Sequence, residues 1–365
     1  MKMILSLSFL FFYSGISCAG HVSWRNECVG YYQIQLPDNV DVGLYPSGRI
    51  ITEDFGGMDS IFGEYYRLRS QGENIRSPYS NFYYQNYRIM MSGNDFDNLN
   101  EYEEGVSKKL SNHDYTYNIK KYSSDSFFLS YENSHSLYMK KNGRLYQFMK
   151  GGGRMDPPLG KNKNNLDLNN ESDITSLLER FRTRNLYEIP AEAEKGFCLP
   201  YGFIANDSGS EDRDIAVTYR MNEHPDVMIV FQDASYQLPY KVPLNSDLDP
   251  IKDYDAKDYA KWLWNHVYML YPGQKRELLS PGWFSITMDG RKGSGSFLEV
   301  TRKDGKKDFG YLAFVRANPE NSTQEPDLQV YVSSYSFLVT EEHPQISPEE
   351  LKALAEHIVN SVKHR

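Results

Sequence analysis

Alternating apolar and polar positions recur along this chain, and they predict strands more often than helices. Residues 31–36 place Tyr32, Ile34 and Leu36 on one side and stop at Pro37-Asp38-Asn39, a turn sequence. Leu137-Tyr138-Met139 and Leu145-Tyr146-Gln147-Phe148 flank Asn142-Gly143, a dipeptide that accepts positive φ in a tight hairpin turn, and residues 127–131 supply another strand before them. Further on, the spacing predicts strands over 197–204, 215–221, 227–231, 284–288, 297–301, 311–316 and 328–333, with Lys303-Asp304-Gly305 turning one hairpin.

Helical periodicity is confined to four places. Leu99, Tyr102, Val106 and Leu110 share a face over 98–112. Asp173 reads as the cap of a short helix carrying Ile174, Leu177, Leu178 and Phe181. Residues 253–270 carry Tyr259, Trp262, Leu263, His266, Val267 and Leu270 on a broad apolar face. The best-marked helix is the last: Ser347 caps it, Pro348 opens it, Glu350 completes a capping box, and Ile346 can staple onto Leu351. Between these elements, 151–170 is polar and rich in Gly and Asn, which predicts a loop, and 190–195 reads as a linker.

Each half thus runs from a cysteine-bearing strand through sheet and a middle helix to a terminal helix. The expectation is an α+β protein of two related modules, each a mostly antiparallel β-sheet with packed helices, divided as 20–187 and 188–365. Independent agreement of the two modules' backbones would support an ancient duplication, and dissimilar strand orders would exclude it.

Residues 1–19 read as a secretory signal peptide: Lys2, then an apolar run from 3 to 13, then small residues with cleavage after Ala19. An alternative makes Cys18 a lipidated first residue, because Gly15-Ile16-Ser17-Cys18 is similar to a bacterial lipobox. No other apolar stretch reaches the roughly 20 residues that span a bilayer, so no integral membrane span is expected. The formal charge of −9 speaks against nucleic acid, whose phosphates require basic patches, and favours basic partners. Of three cysteines, Cys28 and Cys198 would remain after export; an even pair in an oxidising compartment reads as a disulfide, and two separate buried thiols are the alternative.

Motifs for chemistry are missing. Gly293-Ser294-Gly295-Ser296 has the wrong spacing for a nucleophile elbow, and Gly151-Gly152-Gly153-Arg154 lacks the Lys-Ser/Thr of a phosphate-binding loop. The eight histidines show no metal-ligand spacing. Asp247, Asp249, Asp253, Asp255 and Asp258 alternate like a calcium loop but lack its glycine and terminal glutamate, which leaves a solvated helix entry or an acidic contact patch for a basic partner. No cofactor is implied. The 29 tyrosines suit sheet faces, and some suit a protein interface.

Glu27-Cys28-Val29-Gly30, followed by a strand ending Leu36-Pro37, and Gly196-Phe197-Cys198 opening the second half resemble the immunity proteins paired with type VI secretion lipase effectors of the class-four phospholipase group. That resemblance spans the whole mature chain. It implies a periplasmic, non-enzymatic protein that grips a delivered phospholipase and blocks substrate entry or lid opening. Two rival readings are an exported enzyme, which needs a convergent polar pocket, and an envelope or carbohydrate-binding protein, which needs a strip of exposed aromatic rings.

Overall fold

A computed structural model describes residues 22–45, 61–62, 66–67, 80–112, 114–131, 134–150, 171–235, 255–266, 269 and 274–365. The first half begins with the hairpin β1 (Trp24–Val29) and β2 (Tyr32–Pro37), followed by β3 (Val40–Val42) and the small pair β4 (Ile61–Phe62) and β5 (Tyr66–Arg67). Then come β6 (Asn81–Tyr84), β7 (Tyr87–Met91), helix α1 (Leu99–Asn112) and four strands in succession: β8 (Tyr117–Ser123), β9 (Ser126–Tyr131), β10 (Ser134–Lys141) and β11 (Arg144–Lys150). Helix α2 (Glu171–Arg180) and the short strand β12 (Phe181–Thr183) close this half.

The second half repeats the order. A hairpin, β13 (Gly196–Leu199) and β14 (Gly202–Ala205), leads into β15 (Arg213–Met221), β16 (Val227–Ala234) and helix α3 (Ala256–His266). Four strands follow, β17 (Lys275–Met288), β18 (Arg291–Thr301), β19 (Lys307–Val315) and β20 (Asp327–Ser334), then helix α4 (Pro348–Ser361) and β21 (Lys363–His364). Both halves are α+β and antiparallel.

Strand order within the main sheet is the same in both modules. It reads β6-β7-β11-β10-β9-β8 in one and β15-β16-β20-β19-β18-β17 in the other, so the dissimilar order that would exclude a duplication is not found. The two sets join into one sheet where β6 pairs antiparallel with β15, Phe82 opposite Ile215. The small sheets carry the relation further, because the modules exchange their last strands. The first module's β12 pairs with β14 of the second, and the second module's β21 pairs with β2 of the first.

Three layers result. One face of the sheet is covered by α2, α4 and the two small sheets, and this continuous core draws on Phe82, Ile89, Phe148, Val217, Phe231, Val330 and Ile358. On the opposite face α1 covers the first module with Leu99, Tyr102, Val106 and Leu110, and α3 covers the second with Tyr259, Leu263 and Trp264. The four helices form where the spacing predicted them, because each has one apolar stripe to bury. At α4 the whole capping box is present: Glu350 N–H donates to Ser347 Oγ, and Ser347 N–H donates to the Glu350 carboxylate.

Some boundaries differ from the sequence reading. The strand expected over 197–204 is two strands, because Pro200, which has no N–H for a ladder, sits in a turn between β13 and β14. Where β14 begins, Gly202 lies so close to the Phe181 ring that an added Cβ would come within 2.6 Å of it. Helix α2 begins at Glu171, so Asp173 lies within it and not ahead of it, and Phe181 belongs to β12. Strands β1, β3 to β8, β12 and β21 and the first part of β17 are not among those expected from alternation. In β1 the reason is visible: polar Glu27 is fully buried, which hides the period. Residues 1–19 with Cys18, the loop predicted over 151–170, and Asp247, Asp249 and Asp253 lie outside the described residues.

The β1–β2 turn sets a strict requirement on one residue. Gly30 has φ +59°, and a Cβ there would sit 2.4 Å from Asp233 Oδ2. Gly30→Ala is therefore expected to lower stability by about 2–3 kcal/mol, read as the shift in a urea unfolding midpoint; an unchanged midpoint would show that the hairpin tolerates the side chain.

Candidate partner-binding surface

The place where the two modules meet is built from buried polar groups. Cys28 on β1 and Cys198 on β13 form a disulfide with Cα atoms 5.7 Å apart, and both side chains are fully buried. Beside it, Gly30 N–H donates to Cys198 O at 2.9 Å and Cys198 N–H donates back to Gly30 O at 3.0 Å, so the two hairpins are also joined through their backbones. The Arg365 guanidinium lies against both sulfurs, at 2.9 and 3.0 Å, and burial pushes its pKa down.

Arg184 organises this junction. Its Nε donates to Leu199 O at 2.8 Å, its Nη1 to Asn185 O and Glu188 O, and its Nη2 to Cys28 O at 2.7 Å and to the Glu27 carboxylate. Neither side chain of the Arg184–Glu27 pair is exposed to solvent. Burial pushes the Glu27 carboxyl up, opposed by the Arg184 charge and by the Tyr187 N–H that donates to it. A second buried pair, Arg213 to Asp233 at 2.7 Å, lies at the β6–β15 seam, with the Arg213 guanidinium 4.5 Å from the Tyr31 ring centroid.

Grooves open at the surface around this frame. One, of about 510 Å³, runs between β17 and α4 beside Phe284 and Tyr311, with Lys292 and Glu356 balancing its charge. A smaller one, of about 230 Å³, sits over the disulfide side, where Glu192 and Glu194 face Lys195 and Arg365. The third, of about 540 Å³, lies between the β1–β2 hairpin, the β15–β16 turn and α4. Here the Trp24 indole stacks on the His357 imidazole, centroids 3.6 Å apart, and His357 Nε2 is 2.8 Å from Gln35 Oε1.

Of the acidic run singled out in sequence, Asp255 is described: its Oδ1 accepts the Asp258 N–H at 2.8 Å, so it caps α3. Asp258 pairs with Lys261 at 2.8 Å. Most described tyrosines lie in sheet faces, with Tyr84 and Tyr146 fully buried and Tyr138 nearly so, while Tyr115 is exposed. Among the described residues no group of three His, Cys, Asp or Glu side chains is placed to hold a metal, and no helix is long and apolar enough to cross a membrane. Sequence reasoning passed over Arg184, Arg213 and Asp233 and read Glu27 only as part of a motif, because their partners lie up to 157 positions away. Their one local signal is a charged residue within an otherwise strand-like segment.

Residues 188–248 match the model of a family described as Tle cognate immunity protein 4 C-terminal domain. No curated protein sequence matches the chain. Among solved structures, the immunity protein TplEi of the type VI secretion system from Pseudomonas aeruginosa, complexed with "L" peptide, shares the fold with a TM-score of 0.54 and 18% identity, over 94% of this chain and 98% of that one. A chain of the Tle4–Tli4 complex is similar over 94% of this chain and 97% of its own, with a TM-score of 0.53 and 17% identity. The resemblance carried by the two cysteine-bearing strands is borne out.

Two stability predictions follow from the junction. Arg184→Met is expected to cost about 3–5 kcal/mol, because Glu27 remains buried without its cation, and adding Glu27→Leu is expected to return part of that loss in urea unfolding; equal stability of the single and double variants would exclude the coupling. Replacing Cys28 and Cys198 together by Ser is expected to cost roughly 4–5 kcal/mol, since the bridge closes a loop of 170 residues.

Proposed function

We propose that this chain is an immunity protein that binds a type VI secretion lipase effector and neutralises it by covering its active site. The observation that carries this reading is the match of residues 188–248 to the Tle cognate immunity protein 4 C-terminal family, on a fold shared with immunity proteins over 94% of the chain. The protein acts by contact, without chemistry of its own. Its two modules support that role, because one continuous sheet, a disulfide and exchanged terminal strands hold the binding surface ready before the partner arrives.

The compartment is the periplasm, reached by the signal peptide of residues 1–19, with the chain released after Ala19 or retained by lipidation at Cys18. An inhibitor of this kind needs an interface of about 1,600 Å² or more, with affinity concentrated in a few aromatic and charged anchors.

Residues 20–365 co-expressed with the lipase-class effector encoded beside its gene are expected to purify as a stable complex that has lost its lipase activity. Separate elution of the two proteins, with the lipase still active, would remove the reading.

A further inference from the structure

The 540 Å³ groove differs from the other two described in holding carboxylates with no Lys or Arg in its lining. Its rim carries Asp38 from the end of the β1–β2 hairpin, Glu223 from the β15–β16 turn and Glu350 from the first turn of α4, and its lining includes no Lys or Arg. Each of the other two grooves pairs its carboxylates with Lys or Arg. Hydrogen bonds from Ser347 hold the Glu350 carboxyl below the usual carboxylate range, so it stays ionised. Two imidazoles also line the groove: His357, which burial pushes below the ordinary histidine range, and His224, whose field acts on Glu350.

The floor is apolar. Met221, Ile346 and Leu354 are buried beneath the rim, and Trp24 is half-buried against His357. An apolar floor, an indole and three carboxylates form a recognition set for a long cationic side chain. The aliphatic stem packs on the floor, the charged end reaches the rim, and the ring contributes cation–π attraction.

We propose that this groove is a docking site for a Lys- or Arg-bearing segment of the effector. The proposal rests on the immunity reading and names the chemistry of one contact within it. The carboxylates select the occupant: a neutral or acidic segment would leave them without counter-charge or face repulsion. The groove also joins the modules, with Trp24 and Asp38 from the first and Glu223, Glu350 and His357 from the second. A segment seated there would bridge them.

The test is a binding titration of the full mature chain against the purified effector, by calorimetry at two salt concentrations. Asp38→Lys with Glu223→Lys is expected to raise Kd by roughly tenfold or more, most strongly at low salt. Trp24→Ala alone is expected to raise it by a smaller factor. Glu104→Lys with Glu320→Lys makes the same change in net charge at exposed positions outside the groove lining and is expected to leave Kd within about twofold of the parent. Reversing the responsible Lys or Arg of the effector to Glu is expected to restore binding to the Asp38→Lys, Glu223→Lys variant. A parent chain that binds tightly, with the groove reversal matching the control pair, overturns the docking site and leaves the immunity reading standing. A parent chain that does not bind overturns both. Circular dichroism and the melting midpoint check that each variant is folded.

Discussion

A guanidinium buried without water must find an acceptor for its donors within the protein, and Arg184 is in that position. Its acceptors come from the first hairpin, through Glu27 and Cys28 O, from the second hairpin, through Leu199 O, and from the turn between the modules, through Asn185 O and Glu188 O. No one of these segments could satisfy it alone. The desolvation cost of the cation is offset only when all three come together, so the pair with Glu27 specifies the arrangement more than it adds net stability. The disulfide and the Gly30–Cys198 backbone pair lie within the same cluster and hold that arrangement.

The symmetry of the fold follows the same line. Two modules with one strand order meet at the β6–β15 pair, and each sends its last strand to the other's hairpin. Exchange of terminal strands means that neither small sheet is complete within its own module. Apolar burial reinforces the exchange, since α4 rests both on its own sheet and on β2 of the first module, with Gln35 N–H donating to Ser361 Oγ at 2.8 Å. The result is a body whose halves are ordered by folding, which under the proposed function would lower the entropy lost on association.

Charge is distributed on two principles. Inside, four carboxylates are matched by arginines, Glu27 with Arg184, Asp233 with Arg213, Asp308 with Arg302 and Asp327 with Arg316, while buried Asp226 is held by hydrogen bonds from Ser334 Oγ and Ile346 N–H. At the surface the excess of acidic residues responsible for the −9 formal charge is free to gather, and in the groove beside Trp24 it gathers without Lys or Arg. A matched charge serves the fold, and the carboxylates of the concave, partly apolar groove are what the proposed docking site rests on.

By itself the sequence determined the local elements: antiparallel strands from alternation and from Asn-Gly and Asp-Gly turns, four helices from their apolar stripes, the α4 capping box, and the repeated plan of the two halves. Those features are set within a few residues, where side-chain period and turn chemistry act. It also supplied an even pair of cysteines and an overall acidic charge. Tertiary structure decided the rest. The strand edges that pair β6 with β15, β12 with β14 and β21 with β2 offer the same backbone donors and acceptors as any other edge, so local sequence does not distinguish them. The acidic run at 247–255 drew attention in sequence because its members are neighbours there. The groove formed by Trp24, Asp38, Glu223, Glu350 and His357 had no such signal, because its residues become neighbours only when both modules fold together.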